Sequence, residues 1–181
     1  MNIENLQQIS AQQTRVVIFN VHTTISKLIT FVVNYLQKDI DIVTAGVENI
    51  EGNDFIIIEE NQEQAIQVLK PTILFVGTQN TAFNYVDLFS TITPGGIAIY
   101  PEYIAEADRA VLQTSNFFRK ISYQQPEISH SEAQLSLVTE MGNIPTSFSE
   151  KFELQEILGA QHFCQHIGIM EDEFYEALIA F

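Results

Sequence analysis

The sequence predicts an α/β domain: a mostly parallel sheet with helices on both faces. Three observations predict it. Short apolar runs rich in β-branched residues recur along the chain without polar alternation, as in strands buried on both sides. Segments with apolar residues at three- and four-residue steps separate those runs, as crossover helices do. The length of 181 residues suits one domain, here 1–181, and is short for two.

The elements follow in order. Residues 2–14 are rich in Gln and Asn, with sparse Ile3, Leu6 and Ile9, and fit either a lead-in helix or a frayed terminus. Arg15-Val16-Val17-Ile18-Phe19-Asn20 is the first strand. Thr23 and Thr24 can cap the next helix, whose stripe is Ile25, Leu28, Ile29, Val32, Val33 and Leu36. Ile40–Thr44 and Phe55–Ile58 are strands, the latter entered from the turn-like Glu51-Gly52-Asn53-Asp54. Gln62–Leu69 is a short helix ending before Pro71. Thr72–Val76 is a strand closed by Gly77, Ala82–Ile92 a helix, and Pro94-Gly95-Gly96 a turn into the strand Ile97–Tyr100. Residues 103–115 read as helix, Phe117–Tyr123 as extended, Ser122–Ser131 as loop and Leu135–Thr139 as a peripheral strand. Two helices, Glu153–Ile167 and Glu171–Phe181, meet at Gly168, a C-cap followed by a new start. In such a sheet, right-handed crossovers put the functional edge at the carboxyl ends of the strands.

Composition narrows the function. Lys and Arg total 8 against 23 Asp and Glu, a formal charge of −15. Phosphate backbones and anionic lipid repel such a chain, so nucleic acid and membrane surfaces are not its expected partners. The single Cys164 excludes an internal disulfide and a Cys-rich zinc site. No apolar run is long enough for a membrane span. The opening MNIENLQQISAQQ lacks the basic start and apolar core of a signal peptide, so the expected compartment is the cytoplasm. Residues 39–69 hold eight acids and residues 152–181 six, with no Lys or Arg in either stretch, and both read as solvated faces that could also steer a basic partner.

A strand followed directly by a Thr-started helix is where nucleotide-binding α/β proteins place their phosphate loop. That chemistry needs glycines so that backbone N–H groups can curl around phosphates, a Lys for the outer phosphates and a Ser or Thr hydroxyl for magnesium. Here the segment is Phe19-Asn20-Val21-His22-Thr23-Thr24-Ile25-Ser26-Lys27, without glycine, and β-branched Val21 resists positive φ. Lys27 lies about one helical turn beyond Thr23, off the usual phosphate-facing position. A helix N-terminus still offers free N–H groups, so His22, Thr23, Thr24 and Thr78 form a candidate vestigial anion site, against the plainer reading of a Thr N-cap.

With these residues in view, the segment resembles the central, ATP-binding domain of the Mur ligases, which join amino acids or peptides to UDP-N-acetylmuramate. Their first strand runs into Gly-Thr-His/Asn-Gly-Lys-Thr-Thr, and Asn20-Val21-His22-Thr23-Thr24 is similar to that loop with the first Gly replaced and the Gly-Lys pair deleted. Phe55–Glu60 is similar to the strand ending in Glu-Ala-Asp-Glu, Lys70–Thr78 to the strand ending in Thr-Asn, and Pro94–Tyr100 to the Gly-Gly strand. Lys151–Ala160 resembles a Gly-x-His-Asn-x-x-Asn helix start, with Phe152-Glu153 and Glu156 where His-Asn and Asn belong, and residues 167–181 are similar to the closing helix. The resemblance spans roughly residues 15–181 and implies a P-loop-type, Mur-ligase-central-domain-like fold.

The departures from the family pattern set the functional expectation. The loop Lys and glycines are absent, and Phe83 stands where the family has His after the Thr-Asn strand. Phe can neither accept a hydrogen bond nor bind a metal, and added carboxylates repel a triphosphate. The family's muramate-binding and C-terminal domains have no counterpart in these residues. Phosphoryl transfer depends on positioning and charge neutralisation, so the first expectation is a non-catalytic core acting through a protein partner or homo-oligomer, with no catalytic residue, cofactor or metal. The second is a small-molecule or nucleotide-binding module with a reshaped pocket around His22, Thr23, Thr78 and Phe83. The third is an enzyme of different chemistry that uses Glu59 or Glu60 with His22 and needs them within hydrogen-bond reach.

Other candidates have bland readings beside them. Glu59, Glu60 and Glu63 could hold Mg²⁺, or simply favour a helix dipole. His162 and His166 have chelating spacing but no third ligand, and Cys164 between them reads as core. Phe83, Phe117, Phe118, Phe148 and Phe152 fall at apparently peripheral positions; any that are not core would form an apolar contact patch.

Overall fold

The computed structural model describes residues 2–80, 82–131 and 134–181. Its strands are β1 (Thr14–Phe19), β2 (Asp41–Thr44), β3 (Val47–Asn49), β4 (Phe55–Glu60), β5 (Ile73–Val76), β6 (Ile97–Pro101), β7 (Arg119–Tyr123), β8 (Ile128–Ser131), β9 (Gln134–Thr139) and β10 (Gly142–Pro145). The helices are α1 (Ile3–Ile9), α2 (Thr23–Tyr35), α3 (Glu63–Leu69), α4 (Tyr85–Ser90), α5 (Ala105–Gln113), α6 (Ile157–His166) and α7 (Glu171–Ala180).

Seven strands form one sheet in the order β3-β2-β4-β1-β5-β6-β7. All its pairings are parallel except β2 with β3. The mostly parallel α/β architecture is thus present as expected. Alternation along β1 divides the interior. Val16 and Ile18 face α2, α6 and α7, while Val17 and Phe19 face the side of α1, α3, α4 and α5. Both cores are buried, which is why these strands read as unbroken apolar runs.

Helix α6 lies close on the sheet because it carries a glycine at the contact. A Cβ on Gly159 would stand 2.5 Å from the Phe75 ring and 2.9 Å from that of Tyr123. Gly159→Ala is therefore expected to destabilise the fold by about 1–3 kcal/mol through overpacking, despite the better helix propensity of Ala. Urea unfolding measures it, and an unchanged midpoint would refute the close contact.

The lead-in residues take the helical one of their two expected forms, α1, capped by the Asn2 side chain, which accepts the Asn5 N–H at 2.9 Å. Several other expectations are corrected. Neither Thr23 nor Thr24 caps α2: the N-cap is His22, whose Nδ1 accepts the Thr24 N–H at 3.3 Å. Ser122–Ser131 is not all loop, since it holds the end of β7 and all of β8. β8 pairs with β9, and β9 with β10, in a separate antiparallel sheet whose Leu135 and Leu137 join the α2 side of the core. β3 and β10 escaped the sequence reading because they are short and carry no buried residue. The helix expected over 153–167 is broken into a 3-10 turn, Lys151–Leu154, and α6. Helix α4 begins only at Tyr85, where Asn84 accepts the Val86 and Asp87 N–H groups.

The two acidic stretches are not simply solvated either, for each contains one buried carboxylate, Asp41 and Glu156. Asp41 opens β2 at the amino edge of the sheet. It accepts hydrogen bonds from Gln13 Nε2, the Glu51, Gly52 and Asn53 N–H groups and Asn53 Nδ2. Burial raises its pKa, but these donors outweigh burial and hold it below the ordinary carboxylate value.

Candidate functional site

Helix α2, after β1, covers one face of the sheet and α3, after β4, covers the other. A crevice at the carboxyl edge between such diverging loops is where open α/β sheets bind ligands. At this edge the chain leaves β1 through Asn20, whose φ is 58°. Asn tolerates this left-handed conformation better than most residues. Its amide Nδ2 donates to Asn80 O at 2.6 Å and Gly77 O at 3.3 Å, and its own N–H donates to Asn61 Oδ1 at 3.1 Å. The loop after β5 comes just as close, since a Cβ on Gly77 would lie 2.4 Å from both Asn20 O and Val21 Cα.

One acidic side chain closes this junction. Glu156, at the break before α6, is 2 % exposed. Its Oε2 accepts the His22 N–H at 2.7 Å, and its Oε1 accepts the Thr78 N–H at 2.5 Å and the Thr78 hydroxyl at 2.9 Å. Burial pushes this carboxyl above its ordinary value, and the three donors oppose that rise only in part. Two tyrosines share its surroundings. Burial, with the nearby Glu156 charge, raises both phenols, Tyr103 to about 12. Tyr123 donates its hydroxyl to Val76 O at 2.9 Å, while the Tyr103 hydroxyl, beside Thr78 and Tyr123, is buried without a hydrogen bond of good geometry.

A second carboxylate sits nearby. Glu153 Oε1 accepts the Thr24 hydroxyl at 3.3 Å, and its Oε2 accepts the Ser149 and Glu150 N–H groups at 3.2 and 3.1 Å. The neighbouring Phe152 packs edge-on against the His22 ring at 5.4 Å. The Lys151–Leu154 turn and the start of α6 therefore lie against the amino end of α2 and bring two acids to it.

Of the four residues considered for an anion site, His22 and Thr78 meet on one carboxylate. Thr24 contacts the second acid, and Thr23 is exposed. Glu59 accepts the Ala45 N–H, and Glu60 accepts the Asn61 and Gln62 N–H groups. Neither is hydrogen-bonded to His22, so the pairing required by the third expectation is missing among the described residues. No group of three or more His, Cys, Asp and Glu among these residues is placed to hold a metal ion. His166 Nδ1 sits 2.8 Å from His162 O, a local helix contact, and Cys164 is buried, which raises its thiol pKa. Phe118 and Phe148 are core and Phe83 is half-buried, whereas Phe117 and Phe152 are 79 % and 53 % exposed. No helix among the described residues is long and apolar enough to cross a membrane.

The mostly parallel seven-stranded sheet with its helices matches known structures. The chain has a Mur-ligase-like central-domain fold. It superimposes on the MurF crystal structure from Acinetobacter baumannii with a TM-score of 0.71 and 14 % identity, over 98 % of this chain and 47 % of that one. Against the UDP-N-acetylmuramate:L-alanyl-gamma-D-glutamyl-meso-diaminopimelate ligase from Neisseria meningitides, the TM-score is 0.72 at 12 % identity, over 99 % of this chain and 69 % of the other. MurF ligase from Thermotoga maritima, solved in complex with ADP, gives 0.68 at 8 % identity, over 99 % and 51 %. The chain spans about half the length of both MurF structures. No family model and no curated protein matches the sequence. At these identities the likeness concerns the Mur-ligase-like fold alone.

The family pattern places Glu156 at a motif position but does not show what it touches. Asn20, read as the end of the first strand and as the start of the loop-like segment, lies just past β1, and its amide contacts, like the places of Asn61, Tyr103 and Tyr123 at the edge, are not visible in the sequence.

Proposed function

We propose that this chain is a non-catalytic Mur-ligase-like core that works through protein contact. The observation that supports it is the position of Glu156. The N–H groups of His22 and Thr78, which lie in the loops after β1 and β5, are satisfied by the chain's own carboxylate. A phosphate entering there would have to displace Glu156 and face Glu153 as well, with no loop Lys to offset the repulsion. The exposed Phe152, on the turn that carries Glu153, and the exposed Phe117 suit an apolar protein contact. A partner or a second copy of this chain fits such a role.

ATP with Mg²⁺ is expected to leave the melting temperature of the pure chain unchanged and to be hydrolysed no faster than in buffer. Saturable stabilisation by ATP, or hydrolysis that disappears in Thr23→Ala, would overturn the reading. A second reading, a small-molecule module at the carboxyl edge, is supported by a crevice of about 350 Å³ between Asn20, Asn61 and Phe83.

A further inference from the structure

The crevice between the end of β1 and the start of α3 has a chemistry distinct from the Glu156 junction. Phe19 and Asn20 are its buried members, and Asn61, Gln64, Asn80 and Phe83 stand around them. Two of its side-chain amides are fixed in orientation by the backbone. Asn20 must point Nδ2 at the carbonyls of Gly77 and Asn80, because a carbonyl can only accept. Asn61 must point Oδ1 at the Asn20 N–H, because an N–H can only donate. Each amide therefore keeps one group without a protein partner among the described residues: the acceptor Asn20 Oδ1 and the donor Asn61 Nδ2. The acceptor belongs to a buried residue, and the donor to the exposed Asn61, whose Oδ1 holds that residue's backbone N–H.

An aromatic wall stands beside them. The Phe83 ring is anchored edge-on to Phe19 at 4.9 Å and against Tyr85 at 4.5 Å. The charge of the lining is also selective: it contains the carboxylate of Glu63 and neither Lys nor Arg. A donor and an acceptor next to an aromatic ring match a planar group that presents an N–H and a C=O side by side. An acidic lining without a cation disfavours a carboxylate or phosphate in the same place.

We propose that this crevice is a binding site for a small, uncharged aromatic ligand bearing a primary carboxamide or a lactam. Asn20 Oδ1 accepts from the ligand N–H, Asn61 Nδ2 donates to its carbonyl, and Phe83 packs on its ring. The volume of about 350 Å³ suits one such ring system. The proposal rests on the second reading; the side-chain amide shifts of Asn20 and Asn61 report on this crevice, whereas ATP hydrolysis tests the first reading separately.

The test is an NMR titration of the whole chain, following the side-chain amide signals of Asn20 and Asn61. Nicotinamide serves as the carboxamide probe, inosine as the lactam probe and nicotinate as the charged control. Nicotinamide or inosine is expected to shift both amides saturably, with nicotinate binding at least about tenfold more weakly, equivalent to ~1.4 kcal/mol. The two neutral probes tell carboxamide from lactam. Asn61→Asp keeps the oxygen that accepts the Asn20 N–H but loses the Nδ2 donor, so it should stay folded and bind about tenfold more weakly. Phe83→Leu should weaken binding while keeping the crevice apolar on that side. Absence of saturable shifts with both neutral probes overturns the proposal. So does nicotinate binding as tightly as nicotinamide, or undiminished binding in a folded Asn61→Asp variant.

Discussion

Glu156→Ala is expected to lower the melting temperature by roughly 5–15 °C, corresponding to about 2–4 kcal/mol in a chain of this size. The side chain accepts three hydrogen bonds in a buried setting, so its removal leaves the His22 N–H, the Thr78 N–H and the Thr78 hydroxyl without their acceptor. Desolvation of the carboxylate works against these bonds, as its raised pKa shows, and keeps the net loss below their simple sum. The variant should also show chemical rescue. Acetate or inorganic phosphate can place an oxygen anion against the vacated N–H groups and should recover part of the loss in the variant, with no such gain in the parent chain. Differential scanning fluorimetry with and without each anion measures both effects. Equal melting temperatures for parent and variant would remove the central support for a self-filled junction. A conservative change separates charge from shape. A raised folded pKa means that this carboxyl favours the folded state fully below its ordinary value near 4.5 and loses that contribution as pH rises through the folded value. Glu156→Gln should abolish that component of the pH dependence.

Asp41→Asn should destabilise by about 2–3 kcal/mol at neutral pH, a fall of roughly 5–10 °C in melting temperature. The carboxamide turns one acceptor atom into a donor, which then faces N–H groups already pointing at it, from Glu51 and Asn53 at Oδ1 or from Gly52 and Gln13 at Oδ2. The pH dependence here has the opposite sign to that of Glu156. A depressed folded pKa stabilises the fold above the ordinary value of 3.8, and that contribution disappears as pH falls through the folded value. The gap between parent and Asp41→Asn should therefore be widest near neutrality and narrow below about pH 4. Melting curves at a series of pH values test this; a gap that stays constant down to acid pH would show that Asp41 acts through packing rather than charge.

The two acids show where sequence reasoning stopped. Asp41 alternates with apolar Ile40 and Ile42, and Glu156 precedes Ile157 and Leu158. Each sits inside an acidic stretch whose other members are mostly at the surface, and nothing local marks it as buried. Their burial depends on donors far away in sequence: Gln13 reaches Asp41 across 28 positions, and His22 reaches Glu156 across 134. The crevice amides have the same origin, because Asn20 is oriented by carbonyls about sixty residues further on.

By itself the sequence determined the alternation of strands and helices, the two-sided burial of the sheet, the absence of a Gly-Lys pair after β1 and the likeness to a Mur-ligase core. These are properties of periodicity and residue type, which act over a few neighbours. Only the tertiary structure decided that His22 rather than a Thr caps α2, that the end of the chain adds a small antiparallel sheet and a broken helix, and that Glu156 fills the junction. Each of those depends on which distant donors and acceptors the fold brings within hydrogen-bond reach, and a buried polar group takes its partner from the assembled chain rather than from its neighbours in sequence.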